Sequence, residues 1–329
     1  MMSYSTQSDK PFKNNIYMSS LFKKPSELEV SPTIKALVYG VPGIGKTSLA
    51  LSAPSPVLLD FDGGVHRVNG AFQCPTLQVH SWDEVQQALQ EDLSEFRTIV
   101  IDTVGKMLDY MSAYIIKTDP SKAMRDGSLS LKGYGVRKQM FINFIGQCST
   151  MGKHLVFVAH EREDKDGETK VVRPEIGGSS AGDLIKELDL VGYMQAFGKN
   201  RTICWSPTEK FYAKNTCNLP EHIQVPTIID ANGVVTGQNT FLSQVFDSYT
   251  KYLSSQQAIT REFESVMSRV TELVDFVNDR DTANEAMTAI AGMSHIWDSK
   301  TRAGMMLNKK CKALGLKYNT ISKSYEPAA

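Results

Sequence analysis

No run of roughly eighteen apolar residues occurs anywhere in the 329-residue chain, so the sequence offers no membrane-spanning helix. Residues 1–15 are polar and lack the apolar segment of a secretory signal. Cysteine is sparse. Cys74, Cys148, Cys204, Cys217 and Cys311 stand far apart, with neither C-x-x-C spacing nor a histidine pattern beside them. That excludes a zinc knuckle and a disulfide framework; free buried thiols in a reducing, cytoplasmic setting are the expectation. Excess charge is missing as well. The 36 Lys and Arg residues balance 36 Asp and Glu, so any nucleic-acid contact must come from local patches and not from the field of the whole molecule. No internal repeat is visible.

What is present starts with one loop. Gly40, Val41, Pro42, Gly43, Ile44, Gly45, Lys46 and Thr47 fill the pattern G-x-x-x-x-G-K-[ST], and Ser48 follows. Ile34 and Ala36 to Tyr39 read as a short buried strand before it, and residues 47–51 as the start of a helix after it. Glycines let backbone N–H groups turn inward around a phosphate, and Lys46 is placed to reach the β- and γ-phosphates. The Thr47 hydroxyl is the expected Mg²⁺ ligand. A nucleoside triphosphate, ATP with Mg²⁺, is the implied ligand.

The chain divides into three parts. Residues 1–30 are rich in Ser, Lys and Asn and read as a mostly disordered arm. Residues 31–253 alternate strands with helices, the pattern of an α/β core whose mostly parallel sheet is covered by helices. Strands are expected at 34–39, 56–61, 77–80, 98–102, 154–159 and 188–196, and helices at 82–93, 104–117 and 136–150. A β-hairpin is expected from residues 201–205 and 210–214. Beyond a polar link at 254–257, residues 258–329 read as a small helical domain.

Asp102 closes the apolar run Thr98-Ile99-Val100-Ile101, where a carboxylate beside the loop holds the Mg²⁺ water shell. The next residues are Thr103-Val104-Gly105, so no glutamate follows, which argues against additional-strand ATPases of the Asp-Glu type. Asp60 and Asp62 sit instead at the end of the strand after the loop's helix, before Gly63-Gly64.

At these positions the chain resembles the RecA-like recombinases, and more closely phage RecA-like ATP-binding proteins of the single-strand annealing and recombination type. The resemblance spans roughly residues 33–220. It rests on the loop, on Leu58 to Gly64, on Thr98 to Thr103, on Leu131 to Gly135, on Val156 to Glu161, and on Ala213 to Asn215 with Leu219-Pro220. It implies a RecA-like P-loop NTPase fold. It further implies that Asp62 orients the attacking water, as an aspartate where the family carries glutamate, and that His160 senses the γ-phosphate. Lys214, or Arg201, would reach into a neighbouring subunit's site. Single-stranded DNA, a homo-oligomer in filament or ring form, and a single-strand binding protein are the implied partners, in the cytoplasm of a host bacterium.

Two loops are candidates for DNA by the same resemblance. The first, 117–137, carries Lys117, Lys122, Arg125, Lys132 and Arg137 around Tyr134; the second, 161–182, mixes Lys165, Lys170 and Arg173 with acids before Gly177-Gly178-Ser179-Ser180. Both equally suit solvated loops. From Lys300 to Lys323 the chain is basic without an acid, which fits either a DNA-facing or a merely solvated helix. Two other readings stay open: a nucleotide-gated assembly module with little turnover, and a small-molecule phosphotransferase. For a helicase motor no second core is visible.

Overall fold

The protein is described here by a computed structural model covering residues 21–29, 33–167, 169–177 and 180–328. The arm expected over residues 1–30 lies mostly outside the described residues. By its internal contacts the chain forms two compact units, residues 31–253 and residues 254–329 with the N-terminal segment. Among the described residues no helix is long and apolar enough to cross a membrane.

The larger unit is built on one ten-stranded sheet. Its strands are β1 (Lys35–Gly40), β2 (Pro56–Asp60), β3 (Thr76–Gln78), β4 (Thr98–Asp102), β5 (His154–Asp166), β6 (Thr169–Pro174), β7 (Leu190–Phe197), β8 (Asn200–Cys204), β9 (Lys214–Asn215) and β10 (His222–Val225). The order is β10-β8-β7-β1-β5-β4-β2-β3, with β6 paired to β5 and β9 to β7. From β7 to β3 every neighbour is parallel; β8 and β10 close one edge antiparallel. β5 therefore stands between the strand that feeds the loop and the strand that ends in Asp102.

Strand side chains alternate faces, and here both faces are buried. Leu37, Tyr39, Ile99, Ile101, Leu155 and Phe157 point into one cluster, under helices α2 (Trp82–Ala88), α3 (Val104–Thr118) and α4 (Leu131–Thr150). Ala36, Val38, Val100, Val156 and Val158 point into the other, under α1 (Lys46–Ala50) and the first turns of α6 (Phe241–Asp275), through Leu242, Val245 and Phe246. This is why the central strands read as unbroken apolar runs.

Several expectations are corrected. Helix α4 begins five residues before position 136, because the Ser130 hydroxyl caps it by accepting from the Gly133 N–H at 3.2 Å. Gly133 and Gly135 hid that start. β5 runs on past Ala159 and folds back as a hairpin with β6, turning at Gly167 with φ +64°, where an irregular loop was expected. The hairpin expected from 201–205 and 210–214 does not form. β8 pairs instead with β7 around Gly198, at φ +62°, while β9 joins β7. The polar stretch 254–257 is helical inside α6, since Ser and Gln, without Gly or Pro, do not break a helix.

The smaller unit packs Val270 and Val274 of α6 against α7 (Arg280–Ala291) and α8 (Ser299–Ala313), through Ala283, Ala286, Ile290, Ala303 and Leu307. It is not wholly helical: β11 (Leu316–Asn319) and β12 (Ser324–Pro327) form an antiparallel hairpin that seats Leu316 and Tyr325 in the same cluster. Asp279 caps α7 by accepting from the Thr282 N–H at 2.8 Å.

Candidate nucleotide site

β1 ends at Gly40, where a Cβ would lie 2.6 Å from the Met194 carbonyl oxygen on β7, so only glycine fits. Gly43 and Gly45 adopt φ of +78° and +103°, conformations that side chains oppose. The chain thus wraps into a tight loop, with Gly45 capping α1. Lys46 is 5% exposed. Its ammonium donates to the Gly40 and Val41 carbonyls at 2.9 Å each and lies 3.4 Å from His160 Nδ1. Burial holds the Lys46 pKa below that of an ordinary lysine, against the pull of Asp102, Glu161 and Asp62.

Parallel register then assembles the rest. Gly40 stands opposite His160, Asp102 opposite Val158 and Asp60 opposite Asp102, so β1, β4 and β2 end in one row beside the middle of β5. The Thr47 hydroxyl donates to Asp102 Oδ2 at 2.5 Å. Burial raises the Asp102 pKa; Thr47 and Lys46 oppose that rise, whereas the nearby Asp62 and Asp60 add to it. A hydroxyl and a carboxylate in contact are the hard oxygen pair that Mg²⁺ takes from protein when phosphates and water supply its other ligands. The residues fit the ion.

The two acids of the Leu59-Asp60-Phe61-Asp62 stretch separate. Asp60, 2% exposed, accepts from the Gly64 and Val65 N–H groups at 3.0 Å each and thereby anchors the turn. Asp62 faces the site: it accepts from the Thr103 hydroxyl at 3.4 Å, and its other oxygen lies 3.6 Å from His160 Nε2. His160 therefore spans from Lys46 on one ring nitrogen to Asp62 on the other. Thr103 and Glu161 lie in stretches that carry the resemblance, but sequence reasoning gave neither a role; the Thr103 contact with Asp62 comes from register. It also missed a cleft of about 170 Å³ beside the loop, lined by Gly45, Ser48, Phe72, Ile228 and Phe241. Arg201 walls the same cleft, its Nε 3.8 Å from where a Gly45 Cβ would sit, and Asn239 donates to the Ser48 carbonyl at 2.8 Å.

Other expected residues lie apart from this group. Lys214 donates to the carbonyls of Ile185, Lys186 and Leu188 and closes the C-terminal end of α5 (Ser180–Glu187). In the first candidate DNA loop, Arg137 is buried inside α4, donating to Ser112 Oγ and the Gly177 carbonyl at 3.1 Å each. It braces the fold and is out of reach of a phosphate. Lys117 and Lys122 pair with Asp83 and Asp119 at 3.5 and 3.6 Å. In the second, Lys170 pairs with Glu163 at 3.0 Å and Arg173 with Asp164 at 3.7 Å along the β5–β6 hairpin. Gly178 and Ser179 lie outside the described residues.

Comparison with known proteins agrees with the loop and its sheet. The family described as AAA domain matches residues 33–217. No curated protein matches the chain. Among solved structures, it is similar to a RadB recombinase at 14% identity and TM-score 0.33, over 53% of this chain and 80% of that one. It is also similar to the flagellar accessory protein FlaH of Methanocaldococcus jannaschii, at 9% identity and TM-score 0.33, over 58% of this chain and 84% of that one. With more than half of its residues inside the family match, and the phosphate loop near the start of them, the chain belongs to the AAA domain family.

Proposed function

We propose that the protein binds ATP with Mg²⁺ at residues 40–48, hydrolyses it, and works as an oligomer on single-stranded DNA in recombination, annealing or repair. One observation carries the hydrolytic part: the contact chain Lys46–His160–Asp62–Thr103, laid across the ends of adjacent parallel strands beside the Thr47–Asp102 pair. Bound Mg²⁺ would offset charge on the phosphates, held through Thr47 and Asp102.

On this reading Lys46 exchanges its two loop carbonyls for β- and γ-phosphate oxygens when the triphosphate enters. The Asp62 carboxylate, steadied by Thr103 and His160, accepts a proton from the water that attacks the γ-phosphorus. The bond to the β-phosphate oxygen breaks, and ADP and phosphate result. His160, losing or gaining Lys46 as a neighbour, passes the state of the γ-phosphate to the β5–β6 hairpin that continues its own strand. The apolar cleft along α1 takes the base. DNA and an oligomer enter by the resemblance to recombinases, by which Lys214 or Arg201 would reach a neighbour's site; Arg201 also stands beside the phosphate loop of its own chain.

Titration calorimetry with ATP and Mg²⁺ tests the site. Lys46→Ala is expected to weaken binding roughly tenfold to a hundredfold, as loss of a charged hydrogen bond does. Asp62→Asn is expected to keep binding and slow hydrolysis about 10²-fold or more. Unchanged binding by the Lys46 variant overturns the site. Asp62 is one methylene shorter than glutamate, which keeps a nucleotide-gated assembly module as the second reading. That reading wins if Asp62→Asn leaves the rate unchanged and an oligonucleotide does not stimulate it.

A further inference from the structure

Residues 299–325 contain no acid, and folding sorts their cations. On α8, positions 299, 303, 307 and 311 are buried, stepping by four along one face. Arg302, Met305, Lys309 and Lys312, in steps of three and four, are exposed along the opposite face. That stripe is about 15 Å long. Arg302 pairs with Asp298 at 2.8 Å, whereas Lys309 and Lys312 have no ion pair among the described residues.

At the N-terminal end of the stripe stands Trp297, 61% exposed and held at φ +50°. Its ring lies 5.3 Å from that of Phe263 on α6, over which the Arg302 guanidinium sits at 5.4 Å. Met305, 67% exposed, adds a second apolar surface on the same stripe. The tryptophan is thus backed by Phe263 and left open to water beside a row of cations.

A polymer with regularly spaced negative charge and flat, accessible rings matches this surface. Double-stranded nucleic acid hides the faces of its bases, and an acidic peptide does not repeat a flat ring with every charge as a nucleotide chain does. In the larger unit Arg137 is buried and Lys170 and Arg173 are ion-paired, while Arg125 and Lys132 are exposed but have no exposed tryptophan beside them. We infer that the C-terminal unit is a platform for single-stranded nucleic acid, on which Trp297 stacks a base and Arg302, Lys309 and Lys312 hold phosphates. The inference rests on the reading above only for the involvement of nucleic acid, and it locates the contact outside the part of the chain matched by the family.

Tryptophan fluorescence of the full chain tests it, because Trp82 and Trp205 are 5% and 0% exposed and Trp297 alone of the three is open to solvent. Titration with a short oligothymidylate at low salt is expected to quench the emission. Trp297→Ala is expected to remove the quenching and weaken binding about tenfold. Lys309→Ala with Lys312→Ala is expected to make the salt dependence of log K shallower by about 0.7 per lysine. Oligouridylate in place of oligothymidylate separates RNA from DNA, and quenching by either supports the platform. Binding without quenching, with an unchanged salt slope in the lysine variant, overturns the platform and leaves the nucleotide site standing. Equal quenching by a duplex overturns base stacking. If neither oligonucleotide binds, with or without ATP, the platform and the nucleic-acid half of the proposed function fall together, while calorimetry on the Lys46 variant still decides the ATP site.

Discussion

Asp102 shows how a residue suited to a ligand burdens the fold that carries it. Burial, with Asp62 and Asp60 as neighbours, raises its carboxyl pKa above that of an ordinary aspartate. A raised folded-state pKa in an acid means that its contribution to stability is present at low pH and lost as pH rises through that value. At neutral pH the ionised group therefore works against folding. Asp102→Asn, which keeps an acceptor for the Thr47 hydroxyl, is expected to raise the melting temperature of the nucleotide-free protein at pH 7 while abolishing Mg²⁺-dependent ATP binding. The gap between variant and wild type should close as pH falls below the carboxylate range. Calorimetric melting across pH checks the sign; a variant less stable at pH 7 contradicts it. Lys46 is the complementary case, a buried cation with a lowered pKa that its carbonyl partners and nearby acids hold in place.

At the scale of elements, the junction of β1 and β5 is pinned by another buried group. His154 opens β5, accepts the Ile34 N–H on its Nδ1 at 2.9 Å, and packs its ring 5.1 Å from Phe246. Burial, with Arg97 nearby, pushes its pKa down from 6.5 to about 4. Here the sign is the reverse: the stability contribution is present above the unfolded value and is lost as pH falls through the folded one. Roughly 3 kcal/mol is expected to disappear between pH 6.5 and 4. Urea denaturation of wild type and His154→Gln over that window measures it, and equal pH dependence in the two proteins contradicts the assignment. Elements were also where local reading erred most. Ser130 starts α4 ahead of two glycines that look like loop, and Gly198 rather than residues 206–209 turns the edge hairpin. A local pattern marks where a chain can turn, and the partner strand decides which of the possible turns is used.

At the scale of the whole molecule, the equal numbers of acids and bases leave no long-range repulsion near neutral pH. Light scattering is expected to show self-association strongest near pH 7 and weaker a unit or two away, with a distinct, nucleotide-dependent oligomer superimposed if assembly serves the ATP cycle. A mass unaffected by both pH and nucleotide contradicts this. The acid-free stretch that holds the most cations among the described residues is 299–325, α8 with the hairpin after it as far as Tyr325, so salt sensitivity is expected to follow that unit more than the α/β core.

The sequence by itself determined the phosphate loop, the strand before it, Asp102 at the end of a buried strand, and the α/β class, because each depends on neighbours within a few residues: glycine conformations, apolar runs and the residues that end them. It also held the candidacies of Asp62 and His160, though not their contact. Only the tertiary structure decided that His160 lies between Lys46 and Asp62, that Asp60 is an anchor for a turn, that Arg137 is buried and Arg201 stands by the loop, and that Trp297 is open beside a basic helix face. These follow from strand order and register, which bring together residues more than a hundred positions apart and are set by the packing of the whole sheet.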